Sequence, residues 1–156
     1  MKTIILYATK HGAAAEIADR IASQLGGASA YDLKQGDIPD LAGFDCVIVG
    51  SSVYAGMFRK EAKSFIAQNA GKLCGKRLGL FISGMSKGDG ADIFKANIPD
   101  EVIQAAKAAC ILGGVFDPEK ANFFERLVMK AVSKQSGYMS TISDEDINTF
   151  TLALKD

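Results

Sequence analysis

Two hydrophobic patterns alternate along the chain. Short runs of consecutive apolar residues, typical of strands buried on both faces, predict strands at 3–8, 29–33 (weak), 45–50, 78–83 and 110–116. Between them, apolar residues recur every three or four positions, which is typical of helices with one buried face. This spacing predicts helices within 14–25, 58–73, 99–106, 123–134 and 143–154. The stretch 34–43, with two glycines and a proline, predicts a loop or one short helical turn.

The alternation of strands and helices predicts an α/β fold with a doubly wound, five-stranded parallel sheet. The common strand order for such a sheet is 2-1-3-4-5, and here an extra helix follows strand five. No linker or repeat interrupts the pattern, so we expect a single domain spanning 1–156. Ligands of this fold class lie beyond the carboxyl ends of the strands, which directs attention to the loops after strands one, three and four.

The amino-acid composition argues against several classes of protein. The 156 residues are 48% hydrophobic and carry 18 basic and 18 acidic side chains, a balance that argues against a disordered chain and against a nucleic-acid-binding protein. Cys46, Cys74 and Cys110 lack the spacing of a metal site, and Cys46 and Cys110 lie in apolar runs typical of a core. We find no signal peptide and no membrane-spanning run, so we expect a cytoplasmic protein without a metal.

The loop after strand one has small residues between a strand and a helix. Such a turn presents unpaired N–H groups and the positive end of a helix dipole, which suit a phosphate. The loop contains neither GxxxxGK[ST] nor GxGxxG, so an ordinary tight turn is an equal alternative on this evidence alone.

The segment from Ile5 to Ile21 also carries a multi-position motif: Ile5-Leu6-Tyr7, then Thr9, Gly12, Ala18 and Ile21 at fixed spacing. It resembles the flavodoxin signature at every position except Ala14, where the family has Thr. The resemblance implies that FMN binds here, with its phosphate held by Thr9, Lys10, His11, Gly12, Ala13 and Ala14. The missing hydroxyl at Ala14 removes a hydrogen bond of about 1 kcal/mol, which the charge of Lys10 or His11 could offset.

The same resemblance assigns two further loops to the flavin ring. The loop after strand three lies against the ring in flavodoxins; here it comprises Ser51, Ser52, Val53, Tyr54, Ala55 and Gly56. Tyr54 is expected to stack on the ring, and Gly56 lies near a peptide that flips in the family. The loop after strand four implies contacts from Ser83, Gly84 and Met85, but the aromatic residue usual there is absent.

The helix start Met57-Phe58-Arg59-Lys60 and the segment 113–137 resemble the flavodoxin-type menaquinone-dependent protoporphyrinogen oxidases of bacteria. Those proteins carry a long basic loop after strand four, whereas this chain has a short loop with Gly and Asp. In the extra helix, Arg126, Lys130 and Lys134 lie opposite Phe124, Leu127, Val128 and Ala131. Such a helix can lie on an anionic membrane surface, which makes 120–135 a candidate for peripheral membrane contact. A helix packed on the core with a solvated basic face is favoured over that alternative.

These observations support an FMN-binding protein that transfers electrons to a partner protein, a quinone or another small molecule. The alternatives are a quinone-dependent protoporphyrinogen dehydrogenase and an α/β binding domain without flavin. A receiver domain would need an Asp at the end of strand three, where Gly50-Ser51 stands. Residues 57–77 carry six basic side chains and one acid, so an anionic small molecule or membrane-associated acceptor fits better than a basic protein face.

Overall fold

The computed structural model describes residues 1–123, 125–127, 130 and 137–155. The longer strands are β1 (Thr3–Ala8), β2 (Ser29–Asp32), β3 (Cys46–Tyr54), β5 (Arg77–Ser83) and β6 (Ala106–Ile111); the two-residue strands are β4 (Met57–Phe58), β7 (Val115–Phe116) and β8 (Met139–Ser140). The helices are α1 (Ala13–Leu25), α2 (Lys60–Gln68), α3 (Ala70–Cys74), α4 (Ala91–Asn97), α5 (Asp100–Ala105) and a C-terminal helix (Asp144–Lys155). A 3₁₀ turn spans Leu41–Gly43, as the sequence allowed.

The sheet has the predicted topology. Its parallel strands lie in the order β2-β1-β3-β5-β6, and β4 adds an antiparallel hairpin to β3. Counting the parallel strands alone, this order is 2-1-3-4-5, which confirms the flavodoxin-like α/β fold.

Both faces of the sheet are covered because its central strands are apolar throughout. On one face, Ile4, Val49 and Leu80 belong to a core cluster completed by side chains of the helical layer between β4 and β6. On the other face, α1 and the C-terminal helix cover Ile48 and Phe81. The buried face predicted for the C-terminal helix is confirmed: Ile147, Phe150, Thr151 and Leu154 are all buried.

Several elements differ from the sequence prediction. Strand β3 continues to Tyr54, where 51–56 was expected to be a loop, because a two-residue turn returns the chain as β4. The expected helix within 58–73 begins after Phe58 and is divided at Asn69. The fifth parallel strand spans Ala106–Ile111 rather than 110–116, since its alanines pair with β5 and residues 115–116 form β7 in a separate two-stranded sheet. Helix α4 was not predicted.

Gly50 marks a close approach within this sheet. A Cβ atom there would lie 2.1 Å from Cζ of Phe81, whose ring covers the glycine. The ring of Phe81 in turn meets Phe150 edge-on, with centroids 6.4 Å apart. Gly50 is therefore required by packing, at the position just before Ser51.

The extra helix is described only in part. Residues 123, 125–127 and 130 are helical, whereas the predicted contributions of Phe124, Val128, Ala131 and Lys134 lie outside the described residues. Leu127 was expected on the side packed against the core, but it is 54% exposed, and Phe123 is 79% exposed. Within the described chain, no helix is both long and apolar enough to cross a membrane.

Candidate functional site

The loop after β1 folds around an internal hydrogen bond. Gly12 caps α1 with φ of 101°, and its N–H donates to Oγ1 of Thr9 at 2.9 Å. The Gly12 carbonyl accepts from the N–H of Glu16 at 3.0 Å, which starts the helical ladder. A positive φ of this size favours glycine, so Gly12 sets the angle at which the loop enters the helix.

The first turn of α1 presents free donors. Within the described chain, no hydrogen bond reaches the N–H groups of Ala13, Ala14 or Ala15. These groups lie at the positive end of a 13-residue helix, an arrangement suited to an anion. Ala14 lies on the buried face of α1 and is fully buried, and its methyl group offers the site no polar atom.

The β3–β4 hairpin forms the second part of the site. Ala55 and Gly56 both have positive φ, 51° and 76°, which corresponds to a type I′ turn between the paired residues Tyr54 and Met57. Val53 packs partly against the core, whereas Tyr54 is 38% exposed. The hairpin therefore presents Tyr54 and the Ala55-Gly56 turn at the carboxyl edge of the sheet.

Asn97 anchors this hairpin to α4. Its Nδ2 donates to the carbonyl of Gly56 at 2.8 Å and to that of Ile93 at 2.8 Å. Its Oδ1 accepts from the N–H of Phe58 at 3.0 Å. All the hydrogen-bonding groups of this buried amide are thus directed at backbone, and two of these bonds fix the turn.

The loop after β1 and the β3–β4 hairpin are in direct contact. The N–H of Lys10 donates to Oγ of Ser52 at 3.2 Å, and Nζ of Lys10 lies 4.9 Å from the centroid of the Tyr54 ring. Buried Ser51 serves the hairpin, since its Oγ donates to the Ser52 carbonyl and accepts from the N–H of Arg59 at 2.9 Å. Two of the three predicted loops are therefore in contact.

The third predicted loop follows β5 and lies next to the hairpin. Its contacts, however, are with Gly113, Gly114 and Thr141. Ser83 is buried and pairs with Ser52 in the sheet. The N–H of Gly84 donates to the Gly113 carbonyl at 3.0 Å, and a Cβ on Gly114 would lie 2.7 Å from the Gly84 carbonyl carbon. Sδ of Met85 lies 3.7 Å from Oγ1 of Thr141. Close backbone packing, rather than a large side chain, fixes this loop.

Glu125 is a site residue that the sequence prediction did not include. Its carboxylate lies 2.9 Å from Nζ of Lys10 and 3.2 Å from Nε2 of His11, and its side chain is only 14% exposed. Burial alone would raise the pKa of this carboxyl. Hydrogen bonds from Lys10, His11 and the Asn122 backbone outweigh burial and lower its pKa below the ordinary value.

A local signal for Glu125 exists in the sequence. Oδ1 of Asn122 accepts from the N–H of Glu125 at 2.7 Å, and Oε1 of Glu125 accepts from the N–H of Asn122 at 3.3 Å. This reciprocal pair is a capping box, and its three-residue spacing can be found by inspection. The contact with the loop after β1 depends on tertiary structure and has no such local signal.

A family model matches most of this chain. Residues 4–143 match the family model described as a flavodoxin domain. No curated protein sequence matches the chain significantly. Among solved structures, oxidised flavodoxin 2 from Bacillus cereus is similar with a TM-score of 0.61 and 21% identity, covering 99% of this chain and 98% of that one.

Two other structures share the fold. The two-electron reduced flavodoxin of Megasphaera elsdenii has a TM-score of 0.55 and 21% identity, over 70% of this chain and 84% of that one. A Lactobacillus acidophilus flavoprotein solved in complex with FMN has a TM-score of 0.51 and 17% identity, over 70% of this chain and 91% of its own. The family model matches residues 4–143, and the strand order is the one expected for that family. This chain therefore belongs to the flavodoxin domain family.

Proposed function

We propose that this protein binds FMN at the carboxyl edge of the sheet and transfers electrons through it. The observation that carries the proposal is the contact between the loop after β1 and the β3–β4 hairpin, made by Lys10 with Ser52 and Tyr54. That contact places the N-terminus of α1, which suits a phosphate, beside an exposed aromatic ring. The flavoprotein of similar fold from Lactobacillus acidophilus was solved with FMN, which is consistent with this ligand.

The residues present fit FMN in two respects. The free N–H groups of Ala13, Ala14 and Ala15 suit a phosphate, and Tyr54 with the Ala55-Gly56 turn offers a flat surface for a ring. When bound, FMN supplies the redox chemistry by accepting and releasing electrons. The chain itself would bind the phosphate, orient the ring against the hairpin and hold the turn peptide through Asn97.

The phosphate assignment is tested by placing a charge at the helix start. Ala13→Asp puts a carboxylate at the first position of α1, where an acid is compatible with the helix dipole and the fold should persist. We expect FMN affinity to fall at least tenfold, measured by quenching of flavin fluorescence. Ala13→Asn is the matched neutral control and should bind FMN more tightly than the Asp variant.

Two results would contradict the proposal. Wild-type protein that purifies colourless and does not take up added FMN would exclude a flavin function. Equal FMN affinity in the Asp and Asn variants would place the phosphate elsewhere.

Charge and exposed apolar surface beside the hairpin support a proposal for the electron partner. Beside the hairpin, Arg59 and Lys60 open α2 with two basic side chains, and Met57 is 48% exposed. An anionic small molecule, or a membrane-associated acceptor such as a quinone, suits such a surface better than a basic protein does. Reduced protein should therefore pass electrons to a soluble menaquinone analogue, as followed by the return of oxidised flavin absorbance.

Quinone-dependent oxidation of protoporphyrinogen is a second candidate activity. Exposed Phe123 and Leu127 near basic Lys120 and Arg126 favour it, because they offer apolar surface and cations for an apolar carboxylated substrate. The test is growth of porphyrin fluorescence from protoporphyrinogen with menaquinone under anaerobic conditions. No increase over a protein-free control would exclude this activity and leave FMN binding standing.

A further inference from the structure

The loop after β1 already holds an anion from its own chain. Lys10 and His11 both face the Glu125 carboxylate: Nζ of Lys10 lies 2.9 Å from Oε1, and Nε2 of His11 lies within 3.3 Å of each carboxylate oxygen. Lys120 adds a further contact, because its Nζ lies 3.4 Å from the His11 carbonyl. The side chains that could compensate for the missing hydroxyl at Ala14 are thus engaged by Glu125.

The capping box does not require these contacts. It accounts for the hydrogen bonds between Glu125 and Asn122, which lie within one helical turn. Lys10 and His11 belong to a loop more than a hundred residues earlier, and Glu125 reaches them with a side chain 14% exposed. A carboxylate so placed lowers the positive potential of the loop and would repel a phosphate dianion brought to it.

We propose that Glu125 is a built-in competitor for the cofactor phosphate, which pairs with Lys10 and His11 and weakens FMN binding at the same loop. This inference rests on the proposed FMN function. It concerns the phosphate end of the ligand alone, so the flavin ring is predicted to be indifferent to the charge of residue 125.

Glu125→Gln tests the charge without removing the cap, since Gln also serves at the third helical position of a capping box. We expect this variant to bind FMN about tenfold more tightly than wild type and to bind riboflavin, which lacks the phosphate, with unchanged affinity. Asn122→Ala is the matched control: it breaks the cap and keeps the carboxylate, so it should not tighten FMN binding. Affinities are measured by flavin fluorescence quenching for all three proteins.

The outcomes separate the two proposals. If wild type binds FMN but Glu125→Gln binds it equally or more weakly, the competitor role is overturned and the FMN function stands. If both variants tighten FMN and riboflavin alike, a loosened segment is responsible and the competitor role is again overturned. If no protein binds FMN, the function fails. In that case a second measurement remains. If inorganic phosphate raises the melting temperature of Glu125→Gln more than that of wild type, competition between Glu125 and anions is still supported.

Discussion

The hydrogen bonds of Asn97 allow a direct test of what stabilises the β3–β4 hairpin. Asn97→Ala removes three hydrogen bonds to backbone, of which those to Gly56 and Phe58 fix the turn. The Phe58 N–H is left without a partner beside a side chain that is 6% exposed, which costs about 1–3 kcal/mol. Loss of the bond to the less buried Gly56 carbonyl adds about 1 kcal/mol. We therefore expect the free energy of unfolding to fall by about 2–4 kcal/mol.

Asn69 provides the matched control. Its Nδ2 also donates at 2.8 Å to the carbonyl four residues earlier, that of Phe65, but among the described residues its side chain makes no bond to another element. Asn69→Ala should cost no more than about 1 kcal/mol. Urea unfolding followed by circular dichroism measures both variants, with the denaturant slope checked for constancy. Equal losses in the two variants would refute the view that Asn97 stabilises the hairpin by bonds across elements.

Two further predictions follow from packing and charge. Gly50→Ala places a methyl 2.1 Å from Cζ of buried Phe81 and should destabilise the protein by about 1–3 kcal/mol or more, as measured by thermal unfolding; unchanged stability would contradict the close approach. Because the folded state lowers the pKa of Glu125, its ionised form contributes stability that is present above the unfolded pKa of about 4.3 and is lost as pH falls through the lower folded pKa. Wild type should therefore lose more stability than Glu125→Gln between about pH 5 and pH 3 in urea titrations, and parallel curves would contradict the pairing with Lys10.

The positions of the central strands could be predicted because their causes are local, and the strand order followed from the few topologies open to such a sheet. β1 is a continuous apolar run, as expected where both faces of a parallel sheet are covered, and its observed bounds, Thr3–Ala8, are the predicted ones. The start of β6 could not be predicted in the same way. Ala106, Ala108 and Ala109 favour a helix by propensity, and only pairing with β5 makes them a strand.

The site was less predictable because its geometry depends on the folded chain. The Ala55-Gly56 turn lacks the Asn-Gly or Gly-Gly pair that usually indicates a type I′ hairpin, so Tyr54 was assigned to a loop. Asn97 lies in a helix with no strong pattern of its own, and its bonds to the hairpin reach across about forty residues. Predicting the pairing of Glu125 with Lys10 would require the tertiary arrangement itself.

The pairing of Lys10 with Glu125 also bears on the order in which the protein is made. Synthesis proceeds from the N-terminus, so every residue predicted to contact the flavin, from Thr9 to Met85, emerges before Glu125 does. The ion pair spans 115 positions, and until its later member has been made, Lys10 and His11 have no carboxylate from that segment opposite them. During that interval the charge of Lys10 is not offset by the carboxylate that pairs with it in the finished protein, so the position of one acid in the sequence sets when that pairing can form.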